Sequence, residues 1–284
     1  EATPGTWYTA DLNATAIPAN AKTTATSISV HVHPAGSTNP NTDGSFYEAT
    51  KRMVGVVVGD RGVVRLLHGK RAGQNSGSIA GGLNCLFERC LGSESARHNM
   101  LMASGEFRDC IGWQQTNDPR WGEILLEFYH PSVPAGTTGI WTRCMAIQSG
   151  PIPGVLRTEG YGGHTSDGSR YARWTMKDCV VVNCEANDSI DVEHFECLRL
   201  RSIDGLIKTR AAVSTQIVDP YFTVTSAGMN DHSGGLVTLV SEAPSQGVTI
   251  DGLRAYIDGD LPGSANAVVL RPGNLSNAPV HLSC

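Results

Sequence analysis

Charge is scarce in this sequence. Charged residues make up 17% of the 284, against roughly 25% in an average soluble domain. With a net charge of -5 and a pI near 6.0, no basic surface is implied, so nucleic acid is not an expected partner. Long apolar runs are absent too. A stretch such as Met53 to Val58 falls far short of the roughly 20 residues that a membrane-spanning helix needs, so no membrane insertion is expected. The chain opens at Glu1 with neither Met nor a basic-then-apolar leader, which predicts a processed product or a partial sequence. There is no P-loop, dinucleotide fingerprint, G-x-S-x-G elbow or H-E-x-x-H. Nucleotide-dependent and zinc-peptidase chemistry therefore have no support, and no cofactor or metal is expected.

Glycine is plentiful, at 32 residues, and with so little charge it points to many turns and little exposed helix. Residues 1–42 read as an irregular arm rich in Ala, Thr, Asn and Pro, holding one alternating strand from Ser27 to His33. His31 and His33 share a face of that strand, a wet face by preference to a metal site. Ser45-Phe46-Tyr47-Glu48 follows Asp43-Gly44 with capping-box spacing, and the apolar residues Phe46, Ala49, Met53 and Val54 predict a helix near 45–54. From about residue 80 onward, short apolar runs, among them Ile124 to Tyr129, Ile140 to Ile147, Trp174 to Val182, Leu206 to Thr209 and Val248 to Ile257, read as strands between Gly, Asn, Asp or Ser, and no second helix interrupts them. Many short strands without helices mean a sandwich, a barrel or a solenoid.

Two signs favour the solenoid. Asn-Gly hairpin turns are missing, and a weak echo recurs in Phe87-Glu88-Arg89-Cys90, Phe107-Arg108-Asp109-Cys110, Met176-Lys177-Asp178-Cys179 and Phe195-Glu196-Cys197. Stacked coils repeat like residues at the coil length, here read as about 20 residues. The span from Cys110 to Cys179 then reads as about three coils with inserted loops. The pairs Cys85/Cys90 and Cys179/Cys184 fall inside runs that read as strands, where five extended steps of about 3.3 Å part the partners by about 16 Å. Buried free thiols are the expectation, with cross-strand disulfides or a zinc site as the alternatives.

The stretch from Asp43 to Met53, followed by Gly62-Val63-Val64-Arg65-Leu66-Leu67-His68-Gly69, resembles the entry to a pectate-lyase-like right-handed parallel β-helix. His68-Gly69 replaces the usual Pro-containing turn. Bacteriophage tailspikes and secreted polysaccharide-active enzymes share that opening. The resemblance implies an all-β fold: a right-handed parallel β-helix over residues 43–284 with an N-terminal capping helix. It also implies an extracellular or virion-associated spike that recognises cell-surface carbohydrate as a homotrimer, with other virion proteins as further partners. A secreted polysaccharide hydrolase or lyase, and a purely structural virion component, are the competing classes.

Hydrolysis of a glycan needs two carboxylates on a solvent-facing groove. The densest acidic stretch supplies Asp188, Asp191 and Glu193 as candidate catalytic residues, the last two on one strand face with Cβ atoms about 7 Å apart. A solvated acidic strand edge is the competing reading. Binding needs aromatic platforms beside polar groups, because pyranose faces stack on rings. Trp113, Trp121, Trp141, Tyr161 and Tyr171 cluster in the middle third and are the candidate substrate-binding residues. Packing of loop bases onto the coil is the alternative for these.

Overall fold

The computed structural model describes residues 56–70, 77–95, 98–114, 124–130, 134, 136–149, 159–165, 172–187, 192–209, 214–225, 236–240, 247–258, 268–271 and 280–283. All belong to the unit Lys51–Cys284, which begins after Thr50. The expected helix near 45–54, the strand at 27–33 and the boundary at 42/43 lie outside the described residues.

Each described strand pairs in parallel with the strand three places further along the chain, so three sheets build up together. Sheet 1 contains β1 (Val56–Val58), β4 (Ile79–Gly81), β7 (His98–Met102), β10 (Ile124–His130), β13 (Glu159–Thr165), β16 (Glu185–Asn187), β19 (Leu206–Thr209), β22 (Val237–Val240) and β25 (Val268–Arg271). Sheet 2 contains β2 (Val63–Arg65), β5 (Cys85–Glu88), β8 (Gly105–Arg108), β11 (Thr138–Thr142), β14 (Ala172–Lys177), β17 (Val192–Leu198), β20 (Ser214–Val218), β23 (Gly247–Asp251) and β26 (Val280–Ser283). Sheet 3 has eight strands: β3 (His68–Lys70), β6 (Leu91–Ser93), β9 (Ile111–Gln114), β12 (Met145–Gln148), β15 (Val180–Val182), β18 (Arg201–Ile203), β21 (Tyr221–Thr225) and β24 (Arg254–Asp258). This is the strand order of a parallel β-solenoid with three strands per coil.

One device turns the chain from sheet 2 to sheet 3 in all eight coils. It is a two-residue corner whose first member has positive φ: Leu66, Arg89, Asp109, Arg143, Asp178, Arg199, Asp219 and Gly252, between 50° and 66°. A left-handed residue costs roughly 1–2 kcal/mol, and a stacked hydrogen bond offsets it. The corner N–H of each donates to a carbonyl one coil further on, as from Asp109 to Thr142 (2.9 Å) and from Arg143 to Lys177 (2.9 Å). The side chains alternate Arg and Asp from Arg89 to Asp219. Two neighbouring pairs close bidentately, Arg143 on Asp109 (2.7 and 2.9 Å) and Arg199 on Asp178 (2.6 and 3.0 Å).

The second corner residue turns inward: Leu67, then Cys90, Cys110, Cys144 and Cys179, then Leu200. Each thiol of this column donates to a carbonyl of the preceding coil, Cys110 to Phe87 (3.2 Å) and Cys144 to Phe107 (3.2 Å) among them. All seven described cysteines are free and buried. Burial pushes the Cys144 and Cys197 thiols up, so they are inert at neutral pH. The corner also corrects three readings of the sequence. Cys85 opens β5 whereas Cys90 is itself the second corner residue, so the two do not share one strand. Leu200 succeeds Cys179 in the column, whereas Cys197 follows Met176 inside sheet 2. And Cys110 to Cys179 spans two coils by way of Cys144, not three.

The core fills by reciprocal sizes. The inner column of sheet 2 runs Phe87, Phe107, Trp141, Met176, Cys197. Sheet 3 presents a smaller inward column, Gly92, Gly112, Ala146, Val181 and Ser202, and its glycines admit the close approach of Asn99 and of Leu125 and Leu126 of sheet 1. The rings interlock: Phe87 meets Phe107 edge-on at 5.5 Å, and Phe128 stacks on Trp174 at 5.0 Å and 9°. Each fully buried aromatic or aliphatic side chain contributes about 1.5–3 kcal/mol.

Candidate functional site

Four of the predicted site residues are described, and these four do not share one surface. Trp141 and Tyr161 are fully buried in the core, and the Tyr161 hydroxyl donates to the Val180 carbonyl at 2.9 Å. Inward-facing rings offer no face to a sugar, so neither is a stacking platform; the packing alternative holds for both. Trp113 faces outward from sheet 3, its Nε1 donating to Ser149 Oγ at 2.7 Å. Glu193 lies on sheet 2, held by Arg173 through two bonds of 3.0 Å. Asp188, Asp191, Trp121 and Tyr171 lie outside the described residues.

Strand alternation does bring another set together. Outward-facing residues of β8, β11, β14 and β17 stack in two columns, Glu106–Ile140–Thr175–Glu196 and Arg108–Thr142–Lys177–Leu198. With Arg143 they line an open groove of about 650 Å³ running along the stack. Its ribs repeat at the strand spacing of about 4.8 Å.

The groove is a network of satisfied charge and hydroxyls. Arg108 clamps Glu106 through Nε (3.0 Å) and Nη2 (2.5 Å), and reaches Glu88 at 3.4 Å. Thr142 Oγ1 donates to Glu106 at 3.0 Å, and Thr175 Oγ1 to Glu196 at 3.3 Å. Hydrogen bonds from Arg65 and Arg173 hold the Glu88 and Glu193 carboxyls below the usual range. Asp109 and Asp178 are lowered in the same way by Arg143 and Arg199. These groups are ionised at neutral pH, and none of them is a general acid.

The same pairs set an acid limit. A carboxyl with a lowered folded pKa adds stability that is present above its unfolded pKa of about 4 and is lost as pH falls through the folded value. The melting temperature is therefore expected to fall between pH 5 and 3, approximate bounds set by that range. An Asp109→Asn/Asp178→Asn double variant should fall by less, and 0.5 M salt, about five times the 0.1 M at which the Debye length is ~10 Å, should shrink the difference. Equal falls in the wild type and the variant would contradict the assignment.

A second polar feature sits on sheet 1. His98 Nδ1 lies 2.5 Å from Glu127 Oε2, and both side chains are buried. Sheet 1 is where coil lengths vary: nine residues separate β9 from β10 and ten separate β12 from β13, while every corner between sheets 2 and 3 has two. Glu127 interrupts the apolar run Ile124-Leu125-Leu126-Glu127-Phe128. A charge set in a buried strand is a signal the sequence reading passed over.

The groove residues were also missed, although the sequence carries their signal. Aligning Glu106-Phe107-Arg108-Asp109-Cys110 on Thr175-Met176-Lys177-Asp178-Cys179 sets Arg108 above Lys177 and Glu106 above Thr175. Comparison with protein-family models, curated proteins and solved structures finds no match.

Proposed function

We propose that this protein is a right-handed β-helix of the extracellular or virion surface-spike kind, and that it binds an extended glycan along the groove of sheet 2. The observation that carries this reading is the groove itself. It lines Thr142 and Thr175 hydroxyls, the Lys177 ammonium and an Arg108–Glu106 fork along one straight track. Sugar hydroxyls seek such mixed donors and acceptors, and the ~4.8 Å rib spacing is close to the length of a hexose unit. Ile140 and Leu198 add apolar floor for ring faces.

Binding without cleavage is the form the groove favours, because its described carboxylates are engaged with Arg or Thr partners. Thr175→Arg should fill the floor of the track. Titration against a panel of bacterial surface polysaccharides is expected to find one bound by the wild type, with at least ~10-fold weaker binding by Thr175→Arg, about 1.4 kcal/mol, and unchanged circular dichroism. Equal binding by both proteins would remove the groove from the account.

The hydrolase reading rests on the His98–Glu127 pair on sheet 1, which is buried and would have to be uncovered to reach a glycan. A carboxyl beside an imidazole in a buried setting is the environment in which acid and base roles divide. Under that reading Glu127→Gln abolishes release of sugar fragments while Thr175→Arg leaves it intact.

A further inference from the structure

The outer face of sheet 3 is apolar over its middle rungs and carries His68, Lys70, Arg201 and Arg254 towards its ends. Its corners with sheet 2 carry no insertions. One outward column holds Leu91, Ile111, Met145 and Val180, and the next holds Trp113, Ile147, Val182 and Ile203. Ile111 is 38% and Ile203 42% exposed. Soluble surfaces rarely carry so continuous an apolar patch unless something docks there. Beside it runs the corner ladder with its alternating Arg and Asp.

We infer that this face binds a second copy of the chain in antiparallel orientation. Counting rungs along the eight strands of sheet 3, the charged corners occupy rungs two to seven, in the order Arg89, Asp109, Arg143, Asp178, Arg199, Asp219. A two-fold axis along the strand direction reverses the stack and sets each rung opposite its mirror rung. The reversal opposes Arg89 to Asp219, Asp109 to Arg199 and Arg143 to Asp178, an opposite charge at each position. A parallel alignment of the two ladders at equal height opposes Arg to Arg and Asp to Asp.

The apolar columns obey the same axis. Trp113 at rung three faces Ile203 at rung six, and Ile147 faces Val182 across the centre; in the other column Met145 faces Val180 and the Arg201 stem lies over Ile111. At the ends, Lys70 of one copy faces Tyr256 of the other, whose ring is 57% exposed, a cation–π pairing. Eight rungs at about 4.8 Å give a face some 34 Å tall, and four residues give about 13 Å of width. With side-chain relief and the flanking ladder, this approaches the ~800 Å² per partner of a standard stable interface.

Sedimentation of the full chain at micromolar concentration is expected to give twice the chain mass. Ile147→Lys should yield a monomer with unchanged circular dichroism and melting temperature, dimerising at least ~100-fold more weakly, about 2.7 kcal/mol. Orientation is read by thiol-specific crosslinking. A mixture of Trp113→Cys and Ile203→Cys proteins should be joined by a bis-maleimide of about 10 Å reach, the spacing of face-packed sheets, while Ile203→Cys alone should not, since its own copies lie a further three rungs, about 14 Å, along the stack. A wild-type monomer overturns the inference. So does the homotrimer that the sequence resemblance implies, a dimer that survives Ile147→Lys, or crosslinking of Ile203→Cys alone.

Discussion

Replacing Gly105 with Ala is expected to prevent the chain from reaching its native stack. Gly105 opens β8 at φ +123°, a region where L-residues are strained by about 1–3 kcal/mol. It is also pressed against the coil beneath. A Cβ there would collide with the Cys85 carbonyl oxygen and stand 2.6 Å from the Cys85 nitrogen. Both are backbone atoms of β5 and cannot rotate away, and moving them breaks the β5–β8 register that seats Phe107 on Phe87. Strain and clash together exceed about 4 kcal/mol, beyond the usual range for one substitution. Soluble yield and the urea midpoint check it. A variant with a wild-type midpoint would show that the coils do not approach as closely as described.

Truncating Trp174 to Ala should cost about 3–5 kcal/mol. The ring is buried, 1% exposed, and stacks on Phe128. It fills a slot made by two glycines: a Cβ on Gly139 would lie 2.5 Å from its Cε3, and one on Gly163 2.6 Å from its Nε1. Neighbours on two successive coils thus shape one cavity, which cannot collapse without shifting strands, so the upper part of the range applies. Gly139→Ala, which overfills the same slot, is expected to cost about 1–3 kcal/mol. Adding Gly139→Ala to Trp174→Ala should then cost less than the two separate losses combined, since the methyl enters space the ring has left. Denaturant unfolding of the three variants measures this, and strict additivity would mean that the slot is not shared.

The strand rhythm was legible in the sequence because core burial in a stacked coil demands short alternating apolar runs. Leu206 to Thr209 is observed as read, and Ile124 to Tyr129 is β10 short of its final residue. The corners were not legible. Ile140 to Ile147, Trp174 to Val182 and Val248 to Ile257 each read as one strand, yet each bends at Arg143, Asp178 or Gly252. A single left-handed Arg or Asp carries no turn composition, and only the hydrogen bond to the next coil holds it there. The Phe-x-x-Cys echo was the trace of that corner: an inward residue, a left-handed residue two later, then another inward one.

The candidate site was less legible for a different reason. Aromatic side chains serve both cores and sugars, and composition does not distinguish the uses. Trp141 and Tyr161 went to the core because strand alternation turned both inward, where their rings meet edge-on at 5.9 Å. Glu193 became one half of an ion pair because stacking set Arg173 one coil away. The groove depends on which residues superpose over four coils, and coil lengths that vary with insertions beside sheet 1 conceal that register in a single sequence.

Whether the protein holds a glycan or cuts it is settled most directly by incubating the intact chain with the polysaccharide it retains and counting new chain ends over time. The account predicts retention with no increase in reducing or unsaturated ends, in the wild type and in Glu127→Gln alike. A steady rise in chain ends that Glu127→Gln abolishes would contradict it, and would move the working site from sheet 2 to sheet 1.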